Sequence, residues 1–166
     1  MLFIVIIIFL PLVIAGFKKL FKKTAITDKY MFDDFICNDL FVAEKYEVLP
    51  LKNSPEELLP DDSLGPDFKF RQSGTNFDFF IVTKFFPNSN TGLPEWCTKK
   101  RFEFLKAFIK KETNLFIVIG IGGTSYLPNE LYLVPFKQIT SNKLSKEQLT
   151  RYILLNSDNL IDFAKH

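Results

Sequence analysis

Histidine is all but missing from this 166-residue chain, the single one being His166, the last residue. A single histidine at that place argues strongly against imidazole general-base chemistry and a histidine-based zinc site. Cysteine is nearly as scarce: Cys37 and Cys97 are 60 residues apart, with no CxxC spacing, which argues against a disulfide framework or a thiolate metal site and for reduced, structural thiols. A strong charge of either sign is lacking too. The formal balance is +2, and Lys18, Lys19, Lys22 and Lys23 account for more than that, so the remainder is near neutral and has no field that would draw in nucleic acid nonspecifically. Glycine is sparse, with seven in all, and clusters only at Gly120, Gly122 and Gly123. A dinucleotide or P-loop site needs a helix N-terminus straight after such glycines, whereas Pro128 and the apolar run 131–136 follow. That cluster reads as a tight strand exit. Any catalysis left to the chain rests on carboxylates, lysine and a metal.

What is present begins with a charge-free run, Leu2 to Phe17, followed at once by the four lysines. As a helix it covers roughly 24 Å at 1.5 Å per residue, short of a hydrocarbon core of about 30 Å, so Leu20, Phe21 and snorkelling lysines must extend it. A secretory signal carries its positive charge before the apolar run rather than after it. The expectation is a single-span membrane anchor with its basic flank over residues 1–23, then one domain over 24–166. The lysines place that domain on the cytoplasmic side.

Within the domain, Thr27 suits the N-cap of a helix running to about Val42, and a short strand follows near Tyr46 to Leu51. The segment from Asn53 to Gly65, with two prolines and four acids, has no periodicity and reads as a loop. A second connection spans Pro87 to Pro94. Cys97 or Thr98 then opens a helix to about Glu112, with Phe102, Leu105 and Ile109 on its apolar stripe and Lys99, Lys100, Arg101, Lys106, Lys110 and Lys111 on its polar surface. Ser145 and Gln148 match a capping box for a closing helix through Leu155, and Ser157 starts a last short turn. Helices interspersed with apolar strands imply an α/β domain with a mixed sheet covered by helices.

The most informative stretch is 65–86, GPDFKFRQSGTNFDFFIVTKFF. Turn formers Ser73-Gly74-Thr75-Asn76 separate two alternating runs, the pattern of a hairpin. With the loop centred between Gly74 and Thr75, Gln72 pairs with Phe77 and Asp67 falls opposite Val82, so Asp67, Val82 and Lys84 share a pleat face. Asp78 lies on that strand face too, but about 20 Å from Lys84.

Pro66-Asp67, a hairpin, and then the triplet Val82-Thr83-Lys84 resembles the PD-(D/E)XK, or restriction-endonuclease-like, nuclease superfamily, with valine where the acid of the (D/E)XK triplet belongs. The resemblance extends to residues 29–35, KYMFDDF, similar to the first helix of one branch, where Asp33 matches an extra acidic residue of the site. It extends also to residues 115–124 and 131–135, similar to that branch's late strands. The resemblance implies a restriction-endonuclease-like mixed sheet flanked by helices. It implies Asp67 as a magnesium ligand, and Asp67, Lys84 and Asp33 as the catalytic set. Cleavage of a phosphodiester builds negative charge on nonbridging oxygens, which a hard cation and a fixed ammonium offset. Loss of the second acid at Val82 implies weak magnesium binding. Simpler readings stand beside these: proline and aspartate commonly open strands, and Asp33 and Asp34 also suit the positive end of a helix dipole.

Three functions follow as expectations. One is a membrane-anchored, degenerate nuclease whose Mg2+-dependent hydrolysis is weak or lost. Another is an active nuclease, acting on nucleic acid, that recruits Asp33 or a loop acid as substitute ligand. The third is a protein-interaction module at the membrane.

Overall fold

The computed structural model describes residues 27–51, 64–88, 95–110 and 114–154. The expected anchor, nearly all of the Asn53 to Gly65 loop and the turn at Ser157 lie outside them. Among the described residues no helix is long and apolar enough to cross a membrane.

Five strands form one sheet in chain order: β1 (Tyr46–Leu49), β2 (Phe68–Gln72), β3 (Asp78–Phe86), β4 (Asn114–Gly123) and β5 (Pro128–Pro135). All neighbours are antiparallel except β3 and β4, which run parallel. Parallel neighbours need a crossover, and α2 (Lys99–Ile109) supplies it. The molecule is thus an α/β fold with a five-stranded mixed sheet.

Alternation along the strands sends two sets of side chains to opposite faces. On one face Ile81, Phe116, Val118 and Leu133 pack against Phe32 and Ile36 of α1, which is helical over residues 27–35. On the other Val82, Ile117, Ile119 and Val134 pack against Trp96 and against Phe102 and Leu105 of α2. The first helix does not end as a plain α-helix. It widens into a π-helical turn, Ile36–Leu40, closed by the Phe41 N–H donating to the Ile36 carbonyl at 2.9 Å. That turn delivers the Phe41 ring onto Phe70, with centroids 4.6 Å apart.

The β2–β3 register follows from its turn and its charges. Phe68 lies opposite Ile81 and Arg71 opposite Asp78, the expected register, but regular pairing stops at Phe68: the Asp67 N–H donates to the Ile81 carbonyl at 2.8 Å, so Asp67 does not continue the ladder to a place opposite Val82. Gly74, with φ of 72°, supplies the left-handed turn residue, and Arg71 donates to Asp78 at 2.7 and 3.1 Å. Lys69 joins the same carboxylate at 2.7 Å, and these bonds pull the Asp78 pKa down to about 2. Asp78 thereby belongs to the hairpin's turn end.

The closing helix is shorter than its capping box suggests. Ser145 and Gln148 do form the box, but α3 covers only Lys146–Leu149, and a 3-10 turn, Thr150–Tyr152, ends it. The reason lies in the sheet: Ile153 bridges to Tyr132 and the Leu154 N–H donates to the Leu131 carbonyl at 2.8 Å, so the chain leaves the helix to pair with the open side of β5.

The three glycines of β4 divide into two tasks. Gly122 and Gly123 have φ of 66° and 69° and form the strand exit that the sequence suggests. Gly120 instead makes room for a helix, since a Cβ there would lie 2.7 Å from Cε2 of Phe32 and 3.1 Å from Cδ2 of Phe85. Phe32 cannot back away freely, because its ring is held against Phe35 and Phe85. Gly120→Ala is therefore expected to lower stability by about 1–3 kcal/mol through overpacking, read as a reduced urea midpoint with unchanged m-value. An unaltered midpoint would show that α1 is free to lift.

Candidate functional site

Asp67 stands at the point where β2 begins. Its N–H donates to the Ile81 carbonyl at 2.8 Å, and its carboxylate Oδ2 accepts the Thr83 N–H at 2.8 Å. A side-chain oxygen thus takes the acceptor place that a backbone carbonyl would fill if β2 continued. The carboxylate consequently lies near the sheet plane, where both helical layers reach it.

From the α1 side comes Lys29. Its ammonium donates to Asp67 Oδ1 at 3.2 Å, to Asp33 Oδ2 at 2.9 Å and to the Thr83 hydroxyl at 3.0 Å. Thr83 donates in turn to Asp33 Oδ1 at 2.5 Å. From the α2 side comes Arg101, whose Nη2 donates to Asp67 Oδ2 at 3.0 Å and to the Gly65 carbonyl at 2.9 Å. Two carboxylates and two cations balance in charge, and the Asp67 side chain keeps only 7% of its exposure.

Burial sets the protonation of this group. It raises the Asp33 pKa above the ordinary carboxylate value, with repulsion from Asp67 adding to it and Lys29 and Thr83 opposing it. For Lys29 burial acts downward, but the two aspartates outweigh it and hold the ammonium above the ordinary lysine value.

Lys84 is placed differently from Thr83, its neighbour. Thr83 turns toward α1, while Lys84 turns with Val82 toward α2 and sets its ammonium 5.7 Å from the centre of the Phe86 ring. Among the described residues it has no carboxylate partner. Lys84, Lys29, Thr83 and Arg101 nevertheless line one cavity of about 490 Å3, whose wall also includes Asp28, Glu95, Trp96 and Cys97. The thiol of Cys97 is pushed up to about 11 by burial, and that of Cys37 likewise, so neither is a ready nucleophile.

The structure therefore brings Asp33 and Asp67 to one centre and puts Lys84 on the wall of the adjoining cavity. Val82 is 1% exposed within the α2-side core. Three members of the centre escaped the sequence reading: Lys29, Thr83 and Arg101. Lys29 and Asp33 stand four residues apart on a helix, the spacing of an ion pair, which was a usable signal. Arg101 is a correction. It belongs to the buried side of α2, one turn before Leu105, rather than to the solvated basic surface.

No protein-family model and no curated protein matches this chain.

Removing one partner from a buried ion pair leaves the other uncompensated. Lys29→Met is expected to cost about 3 kcal/mol at neutral pH, measured by chemical denaturation. Without the ammonium, Asp33 has a folded pKa still further above its unfolded one, so the folded state binds its proton more tightly and the variant regains stability as pH falls. The gap between wild type and variant should narrow from pH 7 to about 5. A pH-independent gap would mean that Lys29 contributes only the packing of its stem.

Proposed function

We propose that this chain is a membrane-tethered, restriction-endonuclease-like domain in which Mg2+-dependent phosphodiester hydrolysis is weak or lost, the metal's position being taken by an internal cation. The observation that carries this reading is the Lys29 ammonium, 2.9 Å from Asp33 and 3.2 Å from Asp67. These are the two carboxylates that the family resemblance assigns to the site.

A magnesium ion does not fit the residues as they stand. Asp33, Asp67 and Thr83 offer the oxygens a hard cation takes, but an ammonium already bonds to all three and would repel a second positive centre. Val82 adds no oxygen, and among the described residues no group of three or more histidine, cysteine, aspartate or glutamate side chains could hold a metal ion. Support for the fold comes from the mixed sheet itself, with a hairpin leading through one parallel crossover. Support for the tether comes from the apolar run and the lysines that follow it.

The domain is then a binding or scaffold element held at a membrane, its cytoplasmic side set by the basic flank. In the wild-type chain, millimolar Mg2+ should leave the melting temperature unchanged and support no cleavage of DNA or RNA. Lys29→Ala should open the space between the aspartates, so that Mg2+ now raises the melting temperature of the variant. Wild-type cleavage that requires Mg2+ and disappears in both Asp33→Asn and Lys84→Ala would instead establish the working nuclease with Asp33 as substitute ligand.

A further inference from the structure

The β4–β5 connection is built as a rigid prong. The Thr124 N–H donates to the Leu127 carbonyl at 3.2 Å, and the Leu127 N–H returns to Thr124 at 3.1 Å. Gly123 is required behind it, since a Cβ there would lie 2.5 Å from the Leu127 carbonyl oxygen. Ser125 turns inward, its hydroxyl 3.7 Å from the sulfur of Met31, which fixes the prong against α1.

That fixed geometry points two apolar side chains into solvent, Tyr126 at 48% and Leu127 at 75% exposure, while Tyr30, the neighbour of Met31, is 56% exposed. Single exposed apolar residues call for no explanation. Here three of the six large exposed hydrophobics among the described residues gather at one end of the molecule. Residues 120–129, GIGGTSYLPN, carry no charge, so nothing ionised would lose water if the prong entered an interface. The end in question is also where the chain departs toward its anchor. The ten residue steps from Phe17 to Thr27 reach at most about 36 Å even when fully extended.

We infer that the prong is a second membrane contact: Tyr126, Leu127 and Tyr30 seat in the headgroup region of the bilayer that holds the N-terminal segment. Tyrosine is favoured at that depth because its ring is apolar and its hydroxyl remains hydrated. The inference rests on the tethered reading above. It adds that the domain lies against the bilayer in one orientation.

The test uses the full chain reconstituted in phosphatidylcholine vesicles containing phosphatidylserine, with a tryptophan reporter at Leu127 (L127W) or, as control, on the far edge strand at Val48 (V48W). The native Trp96 is buried at 2% exposure and its signal is subtracted from the parent protein. Headgroup-proximal spin-labelled lipid should quench the reporter at 127 more strongly than the one at 48, by roughly twofold or more. Tyr126→Ser with Leu127→Ser should then abolish quenching of a reporter at Tyr30 (Y30W) while the chain still floats with the vesicles. Flotation with equal quenching at 127 and 48 overturns the docking and leaves the anchor standing. Failure to float overturns both. Cross-linking between copies at 127 without lipid quenching assigns the prong to self-association and overturns it as well.

Discussion

Everything at the site is organised by one carboxylate that stands where a backbone carbonyl would be. Because Asp67 completes the β3 ladder by accepting from Thr83, its oxygens are held near the sheet plane instead of on either face. A group in that position can bond to cations from both helical layers at once, and Lys29 and Arg101 do so. The ion pairs then tie α1 and α2 to the same strand end. A buried charge network of this kind is not in itself a large source of stability, since desolvation offsets much of its attraction. What it supplies is position: removing any one member leaves the others with uncompensated charge.

The ammonium also changes what the oxygens are able to do. In a metal-dependent hydrolase, carboxylates near neutral net charge with a dication leave a site that attracts an anionic substrate and polarises it. Here the two aspartates spend their charge on Lys29 and Arg101, and the hydroxyl between them is fully engaged. Lys84 stands apart, with an aromatic face beneath it and, among the described residues, no ion-pair partner. The adjoining cavity thus has Lys84 on its wall together with Asp28 and Glu95, while Asp33 and Asp67 are engaged with Lys29 and Arg101.

Much of this architecture can be read from the residues alone. The hairpin register follows from Ser73 to Asn76 and from the alternation on either side, because a one-residue slip would exchange the face of Phe68 and Phe70 with that of Lys69 and Arg71. The N-cap at Thr98, the capping box at Ser145 and the strand exit at Gly122 and Gly123 are local chemistry and show themselves locally. What stayed hidden depends on distant partners. Arg101 sits in a basic run, and only the approach of Asp67 from 34 residues away turns it inward. Lys29 reads as one more surface lysine until β3 places Thr83 beneath it. The early end of α3 has the same origin, since nothing in residues 145–155 announces that β5 will offer a pairing edge.

That pairing leaves the sheet lopsided toward other chains. Along β5 the outer hydrogen-bonding side is partly occupied by Ile153 and Leu154, whereas β1, four residues long with Val48 half exposed, is the outer strand on the opposite flank. Among the described residues the two flanks therefore differ in length and in cover, and it is the longer edge strand, β5, that a returning segment of the same chain caps. The brevity of β1, with Glu47 and Lys45 beside Val48, keeps that flank from becoming a template for indefinite growth.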